Sequence, residues 1–135
     1  MRVVISNFSP PLPAAGDPRA YWASVEPPPA RPRVTLFEQR PTWGFHIYAL
    51  GVHLLDLGAA TRVEFWTFKD GEPRMSWSEA GVLQVRFRNV EDVAAYLDRF
   101  GEPDLFVNHG RQGHEVLELL AGRCFRVHVP AGRDG

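Results

Sequence analysis

Residues 33–58 read RVTLFEQRPTWGFHIYALGVHLLDLG, and this stretch sets the fold class. Val34-Thr35-Leu36-Phe37 is a short apolar run of strand formers, as a buried parallel strand requires. A loop turning on Gly44 follows. The pattern then predicts a helix that starts between Thr42 and Gly44, is apolar almost all the way round, and stops at Gly58. Strand, glycine loop and helix together form the opening βα unit of a Rossmann-like domain, whose first loop faces the ligand.

The rhythm continues downstream. Val63-Glu64-Phe65-Trp66-Thr67-Phe68 predicts a second strand, and Lys69-Asp70-Gly71-Glu72 a turn. Val82-Leu83-Gln84-Val85-Arg86-Phe87 alternates as a third strand. Asn89 stands at a helix N-cap with Asp92 three residues on, where free backbone N–H groups favour an acid. Val90, Val93, Ala94 and Leu97 recur at helical spacing, and Gly101 closes the helix. Pro103 introduces a fourth strand, Leu105-Phe106-Val107, which runs into Asn108-His109-Gly110. Residues 115–121 predict a short helix with Val116, Leu117 and Leu120 inward, and Phe125-Arg126-Val127-His128-Val129 a fifth strand. The fold class expected is α/β: a Rossmann-like, three-layer αβα domain with a mostly parallel sheet, over residues 33–135.

Upstream the composition changes. Val3–Ile5 has the makings of a short edge strand, but Pro10, Pro11 and Pro13 follow at once, then Pro27-Pro28-Pro29 and Pro32. Proline fixes φ and removes a backbone donor. Residues 1–32 are therefore expected to form a Pro-rich extended arm, with one helical turn near residues 21–25. Phe8, Tyr21 and Trp22 give that arm something to pack with.

Composition excludes several classes. A net charge of -1 over 135 residues leaves no electrostatic footprint for nucleic acid. Cys124 is the single cysteine, so no disulfide framework exists within one chain. The start lacks a basic region followed by a long apolar segment, and no window reaches the ~18 apolar residues of a membrane span. The expected location is the cytoplasm, extending to the membrane periphery.

In a parallel sheet of this kind ligands sit beyond the carboxyl ends of the strands. That rule selects the loops at 39–46, 108–114 and 128–132, each of which carries histidine. His46 and His53 share a helix face but lie ~10 Å apart along the axis, too far for one metal ion. His53 and Asp56 are spaced as a surface pair. His46 opens the helix, and His109 directly follows a buried strand, where a substrate-gripping group is held. His114 reads as a helix opener and His128 as a strand residue with one hydrogen bond. No spacing matches a zinc site, and no metal or cofactor is expected. The loop Arg40-Pro41-Thr42-Trp43-Gly44-Phe45-His46 lacks the three-glycine dinucleotide fingerprint and a phosphate-loop lysine, which argues against a small oxidoreductase. No Gly-x-Ser-x-Gly nucleophile elbow is present. Trp66, Trp77 and Phe68 read as core or interface.

The pattern of strand, Pro-x-x-Gly loop, long apolar helix, Gly58, strand, and a Pro-Asp strand ending in His-Gly resembles the N-terminal domain of GT-B-fold glycosyltransferases. The large retaining family of glycogen-synthase-like architecture is the nearest in pattern, over about residues 33–132. The resemblance implies that Trp43, Gly44 and Phe45 border the cleft, with one glycine where two are common. It implies that His46 corresponds to the histidine at the start of the family's helix. It also implies that Pro103-Asp104-Leu105-Phe106-Val107-Asn108-His109 is the strand run that delivers His109 as the catalytic group, and that His128 borders the acceptor cleft. Asn108, Gly110 and Arg111 complete the expected substrate-binding set. The family's donor-binding domain, with its paired glutamates, has no counterpart here. The implied function is the acceptor-binding half of a nucleotide-sugar-dependent glycosyltransferase. Its partners would be a sugar acceptor and a separate donor-binding domain or subunit. The alternative is a non-catalytic, Rossmann-like protein-interaction module that docks through the arm and its tryptophans.

Overall fold

The structure is a computed structural model that describes residues 1–8, 10–12, 16–26, 45–110 and 112–129. The elements run β1 (Arg2–Ser6), α1 (Pro18–Ser24), α2 (Phe45–Asp56), β2 (Arg62–Phe68), β3 (Arg74–Trp77), β4 (Leu83–Phe87), α3 (Val90–Phe100), β5 (Leu105–His109), α4 (His114–Leu119) and β6 (Phe125–Val129). The expected strand at Val34–Phe37 lies outside the described residues. So do Trp43, Gly44 and Arg111.

The six strands form one sheet in the order β3-β4-β2-β1-β5-β6. All neighbours are parallel except β3, which runs antiparallel to β4 on the edge. Without β3, the parallel strands stand in the order third, second, first, fourth, fifth. That order is compatible with a Rossmann-like fold, in which the chain turns back beside its first strand.

One expectation is corrected here. Arg2–Ser6 is not the edge strand of an arm: it is central, paired with β2 on one side and β5 on the other. Val3, Val4 and Ile5 are completely buried, as a strand covered on both faces requires. The prolines end the strand rather than exclude it from the sheet. α1 is also longer than one turn. Asp17 caps it by accepting from the Arg19 N–H at 3.0 Å, and Pro18 occupies the first turn, where its missing N–H costs nothing. Trp22 on α1 is fully buried against Phe87 and Tyr96. β3 was not expected; it is exposed to half-buried, and its alternation spans only four residues, Arg74-Met75-Ser76-Trp77.

Pleating divides the core. Val4, Trp66, Phe68, Val85, Phe87 and Phe106 share a cluster with Trp22 of α1, Tyr96 and Leu97 of α3, and Val116 of α4. Val3, Ile5, Val63, Phe65 and Val107 share another with Tyr48 and Val52 of α2. Gly51 explains how closely α2 approaches. A Cβ there would stand 2.8 Å from both Ile5 Cδ1 and Val63 Cγ1. α3 has the termini read from the sequence: Asn89 accepts from the Asp92 N–H at 3.1 Å, and Gly101, at φ 83°, donates to the Leu97 carbonyl. Trp66 and Phe68 are core residues and Trp77 packs beside them.

Candidate functional site

The strand order reverses between β1 and β5, and the carboxyl ends of these strands carry a cluster of buried polar residues. Ser6, the last residue of β1, and Asn108, near the end of β5, are both completely buried and aligned in register. Burying such groups without partners would cost ~1–3 kcal/mol each. Both are partnered. The Ser6 hydroxyl donates to Asn108 Oδ1 at 3.0 Å and also lies 3.3 Å from the Val107 carbonyl. Asn108 Nδ2 donates to the Gly110 carbonyl at 2.8 Å and stands 3.1 Å from His128 Nδ1 on β6.

Two glycines make this geometry possible. Gly110 has φ 85°, a conformation in which an L side chain is strained, and its N–H donates to the Val129 carbonyl. Gly113 precedes α4 and passes directly over the amide. A Cβ on it would lie 2.0 Å from Asn108 Oδ1 and 2.8 Å from the Phe8 ring. Gly113, Ser6 and Phe8 were not singled out from the sequence. Glycine in the loop after a buried strand was the available signal for Gly113. No local signal marks Ser6, because its partner is 102 residues away.

Of the residues expected at the site, the structure brings together Asn108, Gly110 and His128. His109 is delivered to the end of β5 as expected and is buried. Alternation along the strand turns it to the opposite face from Asn108, the face that Val107 shares with α2. Phe45 and His46 are in the first turn of α2. The candidates therefore divide between the sheet's two faces: Ser6, Asn108 and His128 on one, His109 and the start of α2 on the other. His128 itself is exposed on the terminal strand.

A second polar cluster occupies the other end of the sheet. Glu64 is wholly buried and receives Arg2 Nε at 2.5 Å, the Tyr96 hydroxyl at 2.6 Å and Trp66 Nε1 at 3.1 Å, with Arg62 Nε at 3.2 Å. Its capacity is taken up by protein groups, and it lies at the strands' amino ends. Its role is to join elements. Likewise Asp92, 1% exposed, is held by the Arg88 guanidinium and backbone N–H. Burial raises the pKa of the Cys124 thiol, so it carries less of the reactive thiolate.

Among the described residues no three His, Cys, Asp or Glu side chains group closely enough to hold a metal ion, and no helix is long and apolar enough to cross a membrane. No family model matches the chain, and neither a curated protein nor a solved structure shows significant similarity to it.

Proposed function

We propose that this chain is a ligand-binding, three-layer Rossmann-like domain that takes a hydroxylated small molecule at the β1–β5 reversal. By the resemblance of its sequence pattern, that molecule is the sugar acceptor of a nucleotide-sugar-dependent transferase, completed by a donor-binding domain or subunit. The observation that carries the reading is the chain from buried Ser6 and Asn108 to exposed His128 at the carboxyl ends of the strands. What sets this polarity apart from the Glu64 cluster is its place, beyond the carboxyl ends of the strands, where parallel α/β sheets hold their ligands. The domain's contribution to reaction would be positioning, with His109 and the first turn of α2 orienting the acceptor hydroxyl toward a donor held elsewhere.

Two experiments test this. Titration of the labelled protein with methyl α-glucoside should perturb the resonances of Asn108, His109 and His128; uniform indifference of these residues would sink the acceptor site. In the enzyme assembled with its donor-binding partner, His109→Ala should abolish transfer while changing stability by no more than ~1 kcal/mol. Parallel loss of fold and activity would make His109 a structural residue.

The second reading, a protein-interaction module, draws on β6. Among the described residues this strand ends the sheet with no strand paired on its outer edge, and Phe125 is 71% exposed. Capture of a stoichiometric protein partner without a nucleotide-binding domain, lost in Phe125→Ser, would favour it.

A further inference from the structure

The hydrogen-bond chain through Asn108 determines the state of the exposed histidine at its end. The Gly110 carbonyl can only accept, so the Asn108 atom 2.8 Å from it must be Nδ2. That orientation leaves Oδ1 facing the Ser6 hydroxyl, which has a proton to donate to it. The two amide protons of Nδ2 are then directed at Gly110 O and at His128 Nδ1, 3.1 Å away. A donor facing Nδ1 requires an unprotonated lone pair there. The ring proton of neutral His128 must therefore sit on Nε2.

We infer that Ser6 and Asn108 are positioning residues that hold His128 as the Nε2–H tautomer, presenting one N–H donor to an acceptor oxygen of the ligand. This rests on the proposed ligand site and gives it a polarity. His128 would bind a hydroxyl, carbonyl or ring oxygen, and would not serve as a base through Nδ1. Gly113 contributes by leaving room for the amide. The Gly110 carbonyl supplies the choice that an amide cannot make alone, since its two ends are nearly equal in size and the Ser6 hydroxyl, able to donate or accept, then donates to Oδ1.

The test is nitrogen NMR on labelled protein, read on the neutral form of the ring. The expected result is an unprotonated Nδ1, a protonated Nε2, and a through-hydrogen-bond coupling between the Asn108 amide nitrogen and Nδ1. A proton on Nδ1 would overturn the inference. In Asn108→Asp the acceptor carboxylate should move the ring proton to Nδ1. If that variant does not fold, Ser6→Ala should lose the coupling while the sheet's backbone resonances persist; an unchanged coupling would remove Ser6 from the chain. With methyl α-glucoside as probe, His128→Ala should weaken binding by about tenfold, the size of one neutral hydrogen bond. His128→Gln, which keeps an N–H donor, should restore part of it. Failure of the wild-type protein to bind the glucoside would count against the sugar reading, while the tautomer stands or falls by its own spectrum.

Discussion

Arg2 Nε lies 2.5 Å from the fully buried Glu64 carboxylate, while Arg2 Nη1 donates to the carbonyls of Phe100 and Gly101. One side chain at the start of the protein thus joins the central strand, its neighbour β2 and the C-terminal end of α3. The helix end is a favourable place for a cation, because its last carbonyls carry partial negative charge. Removing the guanidinium would leave Glu64 short of its closest counter-charge. Arg2→Ala should lower unfolding free energy by about 3 kcal/mol in urea titration. A loss below ~0.5 kcal/mol would mean that Arg62 alone neutralises the site.

The same carboxylate governs a pH response. Burial first, then the negative charge of Glu64, raises the pKa of Tyr96 well above the ordinary tyrosine value of ~10. A group whose pKa is raised on folding contributes stability that is complete below its unfolded value and declines as pH climbs toward the folded one. Stability should therefore fall in alkali above pH ~10. In Tyr96→Phe the alkaline slope should become shallower, with stability at neutral pH reduced because the bond to Glu64 is lost. Burial also raises the pKa of Tyr48, so part of the slope should remain. An alkaline profile identical to wild type would refute the assignment.

Gly51 sets helix preference against packing. Alanine favours a helix by ~1 kcal/mol over glycine. Here the added methyl would meet Ile5 Cδ1 and Val63 Cγ1 at 2.8 Å. The Ile5 terminus can swing away; the Val63 methyl sits on a stiff β-branched side chain. Overpacking of this kind costs roughly 1–3 kcal/mol, so Gly51→Ala should be net destabilising in thermal unfolding. A rise in melting temperature would show that α2 sits farther from the sheet.

Gly113→Ala tests the ceiling over Asn108. Its Cβ would overlap Oδ1 at 2.0 Å, so the amide must move or the loop must lift. The expected cost is roughly 1–3 kcal/mol, with displaced His128 ring resonances because Nδ1 loses its donor. Unchanged His128 resonances would mean that the amide does not depend on this close approach.

Much of the scaffold was legible. The alternation of β4, the cap at Asn89, the stop at Gly101 and the buried run entering Asn108 are local signals, each written within a few residues. The termini of α3 and the strands β2, β5 and β6 follow them closely. Two readings depended on distance along the chain and failed for that reason. Five residues, RVVIS, followed by prolines look the same in an arm as in the centre of a sheet. β3 alternates over only four residues, Arg74-Met75-Ser76-Trp77, a run too short to stand out before β4 offers it an edge.

The candidate site shows the same division. The sequence by itself determined that Asn108 and His109 end a buried strand, that glycine follows them, and that His128 stands on the last strand of the described fold. Only the tertiary structure decided which of them act together. Parallel register aligns Ser6, Asn108 and His128 on one face, and the pleat turns His109 to the other. Register is a property of paired strands, fixed by burial on both faces of the sheet. Nothing in a single segment specifies its neighbour, so the partner of Ser6 became visible only once β1 lay beside β5.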